Sequence, residues 1–338
     1  MYNEPVFSAY SGGVFAVMKK ITAVLFAIFV ASMYGFLAYS FFVEDDAYEF
    51  FFETAVSGTS SEMQDILRNG IAVNRRNING STALILAAGN NTDPDMIRVL
   101  AEAGADVNAL NDGGLSPLMA AADRNTNPSV VTALVSAGAD IDKIGDDSFS
   151  PLLASIFVNP NQAVILEFIR LGADVNLADR NGVTPLMAAT FNNRGTEVVE
   201  ALLKAGAEAD GRNESGASAL SFAVRGIDSL RNTEMILDAG ADVNAASNRG
   251  FTILHFAMSG SFVNPSVISL LVERGADVNV ANDVGVTPLM AAVMSNASAE
   301  VIGLLRAAGA DLSARDNQGR TALDIAKITE GADPSLFE

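Results

Sequence analysis

The pattern of hydrophobic and polar residues repeats along most of the chain. Each unit opens on a serine or threonine followed by a short apolar stretch, as in "TPLMAAT" from Thr184. A hydroxyl side chain followed by proline is typical of a helix N-terminus. A second apolar stretch with helical spacing follows, for example at Met96, Ile97, Val99 and Leu100. Each unit therefore predicts two short helices.

Glycines divide these units at a fixed period. Each glycine follows the second helix, where it accepts the left-handed conformation without strain. Successive glycines lie 34 residues apart, with one interval of 35. The series is Gly70, Gly104, Gly138, Gly172, Gly206, Gly240, Gly275 and Gly309. A period held over so many copies predicts a stack of repeats, in which each unit buries its apolar face against its neighbours.

A short polar connection leads from each glycine to the next unit. The motif "AGADVN", residues 103–108, and its variants follow the second helix, and "NDGG", "DRNG" or "DNQG" reverses the chain. Alternating apolar and polar residues before a glycine-containing turn indicate a β-hairpin or turn. Each unit is therefore predicted to contain helix, loop, helix and hairpin or turn, and the fold class is mainly α.

These residues resemble the ankyrin repeat in the Thr-Pro-Leu opening, the Gly-Ala-Asp-Val-Asn close and the glycine-ending turn, from about Asp46 to the C-terminus. The resemblance implies a repeat solenoid over residues 44–338. It would contain a degenerate N-terminal unit, seven full repeats over residues 80–319 and a C-terminal half unit. The histidine of the family's Thr-Pro-Leu-His is kept only at His255. We therefore expect apolar packing to replace most of the hydrogen bonds that this histidine makes between repeats.

An apolar run precedes the repeats. Residues 21–43 form a stretch of 23 residues without a charge, long enough as a helix to cross the roughly 30 Å hydrocarbon core of a membrane. Lys19 and Lys20 precede the run, and Glu44 and Asp45 follow it. Basic residues favour the cytoplasmic side. We predict a cytoplasmic segment at 1–20 and one apolar helix at 21–43. This helix would anchor the chain in the inner membrane with the repeats on its periplasmic side.

A cleaved signal peptide is the alternative for the same run. Translation from Met18 would give a Met-Lys-Lys leader of bacterial type, and Ala38 and Ser40 supply the small residues of a cleavage site near Ser40. The apolar run is longer than the roughly 7–15 residues usual in such leaders, which favours the anchor. Cleavage would instead leave the protein periplasmic or secreted. Both interpretations export the repeats.

Charge and composition argue against several function classes. The formal net charge is −19, with 40 acidic and 21 basic residues, whereas a nucleic-acid binder needs a basic face. The chain has no cysteine and one histidine, His255, so a catalytic triad with a second histidine or a histidine-cluster metal site cannot be assembled. We predict no catalytic residue, no cofactor, no metal and no small-molecule substrate. His255 is predicted to be structural.

The resemblance implies that a protein partner binds the concave face of the stack. The candidate positions follow the first helix of each repeat, where the residue type varies between repeats. They are Asn90, Arg124, Phe157, Phe191, Arg225, Ser259 and Met294. Among them, Phe157 and Phe191 are aromatic in adjacent repeats, and exposed aromatic side chains often act as anchors. Burial of both rings would instead indicate packing between repeats.

The predicted function is a non-enzymatic, monomeric interaction module displayed outside the cytoplasmic membrane. One alternative is a structural spacer without a specific partner. Another is a secreted protein that acts on another cell, which depends on cleavage near Ser40. The sequence alone does not identify the partner, since a repeat fold binds through whichever surface side chains are complementary.

Overall fold

The computed structural model describes residues 36–145, 148–226, 228–259 and 263–337, and within them the chain is a stack of paired helices. The N-terminal unit contains α1 (Phe36–Ser57) and α2 (Ser60–Arg68). The first helices of repeats 1–7 are α3 (Ala83–Asn90), α5 (Pro117–Arg124), α7 (Pro151–Val158), α9 (Pro185–Phe191), α11 (Ala219–Ala223), α13 (Ile253–Met258) and α15 (Pro288–Met294). The second helices are α4 (Pro94–Glu102), α6 (Pro128–Ser136), α8 (Gln162–Arg170), α10 (Thr196–Lys204), α12 (Ser229–Asp238), α14 (Pro265–Glu273) and α16 (Ala299–Ala307). Helix α17 (Ala322–Ala326) and a 3₁₀ turn, Pro334–Phe337, close the stack.

Side-chain caps begin most of these helices, as the sequence predicts. Ser116 and Thr184 accept hydrogen bonds from the third backbone N–H of α5 and α9, at 3.2 and 3.3 Å. Asp93, Asn127 and Asn264 cap the second helices that open on proline. Each cap satisfies an amide that would otherwise have no partner within the helix.

Glycine ends the second helices for a conformational reason. Gly104 has φ +88° and Gly172 has φ +87°, in the region that other residues rarely adopt. A Cβ atom on either glycine would meet no other atom within 4 Å. The left-handed backbone, and not crowding, therefore requires glycine at this position.

The sequence predicts a β-hairpin or a turn between repeats, and the structure has the turn. No strand occurs in the described ranges, where Ala246 and Thr252 form an isolated bridge. The side chain of Asn111 shows why none is needed. Its Oδ1 accepts hydrogen bonds from the N–H groups of Gly113 and Leu115, at 3.0 and 2.9 Å. A side chain thus closes the turn where a hairpin would use a strand ladder.

Apolar side chains of both helices form one continuous core along the stack. Leu118, Leu152 and Leu186 open the first helices and are buried, and Val131 and Ile165 of the second helices are fully buried. The first helices of neighbouring repeats pack more closely than the second helices over most of the stack, since alanines line their contacts. We call the side of the stack that the first helices line its concave side, after the shape that the resemblance implies.

Buried asparagine side chains also join the N-terminal repeats. We call Asn91, Asn125 and Asn159 the asparagine ladder; they follow the first helices of repeats 1–3 and are at most 7% exposed. The amide of Asn125 donates to the carbonyls of Ala88 and Asn91, at 2.7 and 2.8 Å. Asn159 donates in turn to the carbonyl of Asn125 at 2.9 Å. Each repeat thus hydrogen-bonds to the one before it.

Arginine extends this ladder by one repeat. In repeat 4 the guanidinium of Arg194 donates to the carbonyls of Ile156 and, at 3.0 Å, Asn159. Burial lowers the pKa of Arg194, but an arginine keeps its charge in a protein. Two backbone carbonyls and one charged side chain therefore satisfy each other between repeats 3 and 4.

A second series of side chains joins the turns, and we call it the turn ladder. Its members end the "ADVN" motif or its variants: Asn74, Asn108, Asp142, Asn176, Asp210, Asn244 and Asn279. Asn108 is typical, since it donates to the carbonyl of Gly138 at 3.2 Å and accepts from the N–H of Asp140 at 2.9 Å. The prediction that apolar packing replaces the histidine is therefore incomplete, because amide side chains supply many hydrogen bonds between repeats.

The single histidine of the chain makes a hydrogen bond to the next repeat. His255 is 2% exposed, its Nδ1 accepts from the N–H of Thr252 at 3.2 Å, and its Nε2 donates to the carbonyl of Val286 at 2.8 Å. Burial lowers the pKa of His255, and the bond to Val286 opposes this shift. These contacts confirm the structural role predicted for His255.

The membrane prediction falls largely outside the described residues, which begin at 36. Among the described helices, none is both long enough and apolar enough to cross a bilayer. Helix α1 runs from Phe36 to Ser57 and so spans the boundary predicted at residues 43 and 44. The domain limits and the anchor stay predictions.

Candidate partner-binding groove

The structure places the seven predicted binding residues at two different offsets from their helix caps. Asn90 and Arg124 follow their caps by eight residues, and the other five follow theirs by seven. Asn90 and Arg124 are the last residues of α3 and α5, whereas Phe157 lies one residue before the end of α7. Asn90 donates to its own helix at Leu86, at 2.8 Å, and Arg124 forms an ion pair with Asp123 at 2.9 Å. Both side chains are exposed but are occupied within their own repeat.

The two phenylalanines differ from each other. Phe157 is half-buried, and its ring lies 5.5 Å from that of Phe149. Phe191 is 61% exposed, with its ring edge-on to Phe222 at 5.5 Å. Exposure of this size for a phenylalanine is unfavourable in water. Phe191 therefore fits an anchor position, whereas Phe157 fits packing within its repeat.

Three of the seven residues come together on the concave side. Phe191, Arg225 and Ser259, from repeats 4, 5 and 6, line one cavity of about 280 Å³. Met294 is exposed in repeat 7 and lines neither this cavity nor its neighbour. The structure therefore joins part of the predicted set into a groove over repeats 4–6, which also includes residues that the sequence analysis missed.

Phe222 and Phe256 are the most important of the missed residues. They lie four residues after the caps of repeats 5 and 6, where repeats 2, 3, 4 and 7 have alanine. Both rings are half-buried and line a cavity of about 570 Å³ with Phe251. The sequence contained a signal, since a bulky ring stands where most other repeats have a small contact residue.

Arg225 lies between these rings. Its guanidinium carbon is 5.8 Å from the centre of the Phe222 ring and 5.4 Å from that of Phe256, within the range of cation–π attraction. One Nη donates to Ser259 over a long 3.5 Å. Burial between the rings lowers the pKa of Arg225, and the guanidinium stays charged. Arg225 forms a wall shared by the two cavities, which together we call the aromatic groove.

The aromatic groove is basic in an otherwise acidic chain. Arg249 lines its other side, and the residues lining the two cavities include no aspartate or glutamate. In the described part of the chain, no carboxylate lies within ion-pair distance of Arg225 or Arg249; eight other arginines do have such a partner. They are Arg68, Arg76, Arg98, Arg124, Arg170, Arg231, Arg274 and Arg320.

A sequence model for ankyrin repeats, described as three copies, matches residues 52–144, 152–247, 228–316 and 254–332. Together these matches cover well over half of the chain. The chain belongs to the ankyrin repeat family. Ankyrin repeats indicate a protein–protein interaction module, and the family is typically non-enzymatic. Among curated proteins, none matches the chain.

The ankyrin stack offers no metal centre among the described residues, where no histidine, cysteine, aspartate and glutamate side chains form a group suited to a metal ion. The acidic turns instead use their carboxylates within the fold. Asp316 accepts from the N–H groups of Gln318 and Arg320, both at 2.9 Å, and these bonds, with the guanidinium of Arg320, hold the pKa of Asp316 below its usual value against the effect of burial.

Proposed function

We propose that this ankyrin repeat protein binds a protein partner through the aromatic groove of repeats 4–6. The observation that carries the proposal is the position of Phe191, Phe222 and Phe256. Their rings line an open groove on the concave side, while the leucines of the neighbouring helices are buried in the core. Residues that stabilise a stack alone have no need to present rings to solvent.

The shape of the groove favours a polypeptide over a small molecule. Small-molecule sites enclose most of the ligand surface, whereas the two cavities are open along one side and extend over three repeats. Interface anchors are typically aromatic or arginine side chains surrounded by polar residues. The aromatic groove has this composition, with Ser247, Asn248 and Ser259 around the rings.

Site-specific photo-crosslinking in cells that produce the protein tests the proposal. A crosslinking residue at Ser259, in the groove, should capture a discrete partner, and the same residue at the exposed Ser136 of α6 should not. Phe191→Ala should weaken capture at Ser259 without changing the circular dichroism of the protein. No adduct at Ser259, or the same adduct at both serines, would contradict groove binding and favour the spacer.

The proposal includes display of the repeats outside the cytoplasmic membrane. The uncharged run at 21–43, with Lys19 and Lys20 before it and acidic residues after it, supports an anchor with this orientation. External protease added to spheroplasts should destroy a C-terminal tag that fractionates with membranes. A protected tag would contradict the orientation, and a soluble tag in the periplasm or medium would show cleavage near Ser40 in place of an anchor.

A further inference from the structure

Arg225 and Arg249 give the aromatic groove a charge opposite to that of the rest of the molecule. The chain carries 40 acidic and 21 basic residues, and eight of the fourteen arginines outside the groove form ion pairs. Where neither side chain has a carboxylate partner in the described structure, charge complementarity points to one from another molecule.

We propose that the groove recognises an acidic peptide segment in which an apolar side chain lies next to a carboxylate. The apolar side chain packs on Phe222, Phe251 and Phe256, and the carboxylate pairs with Arg225 and Arg249. This inference rests on the proposed function, because it names the chemistry of the partner that the same groove binds.

The contacts of Arg225 explain why a carboxylate fits. A guanidinium carries five N–H donors in one plane, and stacking on aromatic faces leaves the edges of that plane available for a bidentate acceptor. Among the described residues, the polar contact of the Arg225 side chain is the 3.5 Å bond to Ser259, which is long for a charged donor. A carboxylate would replace this weak contact with charge-assisted bonds in a site that the rings partly shield from water.

The rings explain why an apolar side chain fits beside it. Phe251 is 37% exposed, and its ring lies 6.3 Å from that of Phe256, which it meets at a tilt. The larger cavity, of about 570 Å³, opens between these rings and Phe222. Its volume is large enough for one aromatic or branched aliphatic side chain, with room for the peptide backbone along the rim.

Selection of short random peptides displayed on phage against the full chain tests this inference. We expect the enriched peptides to carry aspartate or glutamate within two positions of an aliphatic or aromatic residue. Synthetic versions should bind the wild-type protein at least about tenfold more tightly than Arg225→Gln, since losing one charge-assisted bidentate contact has an effect of this size. Replacing the peptide's carboxylate by its amide should cause a similar loss, and binding should weaken as salt is added.

Arg180→Gln is the matched control, because Arg180 is exposed and lies outside the groove, so that its substitution removes the same charge elsewhere. Peptides that Phe222→Ala weakens but that lack acidic residues and ignore Arg225→Gln would overturn this inference and leave the proposed function intact. An absence of enriched peptides, or binding that groove variants do not change, would count against both. Thermal melting of each variant separates loss of binding from loss of folding.

Discussion

Repeats 1–3 and repeat 5 differ in how their helix ends and buried polar groups are hydrogen-bonded. In repeats 1–3 each first helix has a side-chain cap, and the asparagine ladder satisfies the buried carbonyls at its end. In repeat 5 neither Ser218 nor Asp228 caps its helix with a side chain, and α11 has five residues. Three of the four buried side-chain atoms without a hydrogen-bond partner in the described residues belong to Ser218, Asn232 and Thr233 of this repeat.

The comparison indicates that different repeats of one solenoid contribute to stability and to binding. Stability in such a stack is a sum of repeat and interface contributions, so a repeat with unsatisfied polar atoms weakens the stack locally. Repeat 5 also carries Phe222 and Arg225, which form the aromatic groove. The proposed binding surface thus lies on the repeat whose interior has the most polar atoms without a hydrogen-bond partner. This is common where function and stability compete for the same residues.

The largest expected effect comes from breaking the asparagine ladder. Asn125→Ala leaves the buried carbonyls of Ala88 and Asn91 without their donor, and each unsatisfied buried group costs about 1–3 kcal/mol. We expect the free energy of unfolding to fall by about 3 kcal/mol in urea denaturation followed by circular dichroism. Asn90→Ala, at an exposed position of the preceding repeat, should change it by less than about 0.5 kcal/mol. Equal effects of the two substitutions would show that the ladder does not hold the repeats together.

Hydrogen exchange compares the two regions directly. Backbone amides of α11 and α12 should exchange at least about tenfold faster than those of α5 and α6, because unsatisfied polar atoms and missing caps lower the free energy of local opening. The measurement is native-state exchange read by mass spectrometry or NMR at neutral pH. Uniform protection along repeats 2–5 would show that the polar defects of repeat 5 do not affect its stability.

The sequence predicted the helices, caps and period because each is a local property. A serine before a proline, or a glycine after a helix, acts within one turn of the chain. The two ladders were missed because their bonds join residues 30 or more positions apart, as between Asn159 and Asn125. Asparagines also do not contribute to the apolar periodicity from which helices are predicted. The groove was found in part. Phe191 and Arg225 lie at the position where the residue type varies between repeats, but Phe222 and Phe256 lie at a position where most repeats have alanine.

A substitution in the turn ladder is expected to have a smaller effect and to raise the free energy of unfolding. Asp142 accepts from the N–H of Asp174 at 2.9 Å, but a carboxylate cannot donate to a glycine carbonyl as Asn108 and Asn176 do. Asp142→Asn should add this bond and raise the free energy of unfolding by about 1 kcal/mol at neutral pH. A decrease would show that the asparagine does not reproduce the bonding of Asn108.

The gain from Asp142→Asn should depend on pH. Burial raises the pKa of Asp142, and the negative charges of Asp174 and Asp140 add to this rise against the bond from Asp174. Since the folded-state pKa is above the unfolded one, the contribution of Asp142 is fully present below about 3.9 and is lost as pH rises through the folded-state value. The difference between Asp142→Asn and wild type should therefore be larger at pH 7 than near pH 4. A constant difference would indicate that the added bond, and not the carboxylate, accounts for the gain.

The smallest expected effect is the loss of amide protection when His255, which lies beside the groove, is protonated. Its ring lies 5.8 Å from that of Phe251, and a protonated Nδ1 cannot accept the hydrogen bond from Thr252. Because burial lowers the pKa of His255 below its unfolded value, its contribution to stability is present above about pH 6.5 and is lost as pH falls towards the lowered pKa. Amides of α13 and α14 should therefore lose protection between pH 7 and about pH 5.5 while those of α5 and α6 keep it, after correction for intrinsic exchange. His255→Met, which places the residue of Met187 and Met290 at this position, should abolish the difference. If it persists in that variant, the acid sensitivity of repeat 6 comes from carboxylates and not from the buried imidazole.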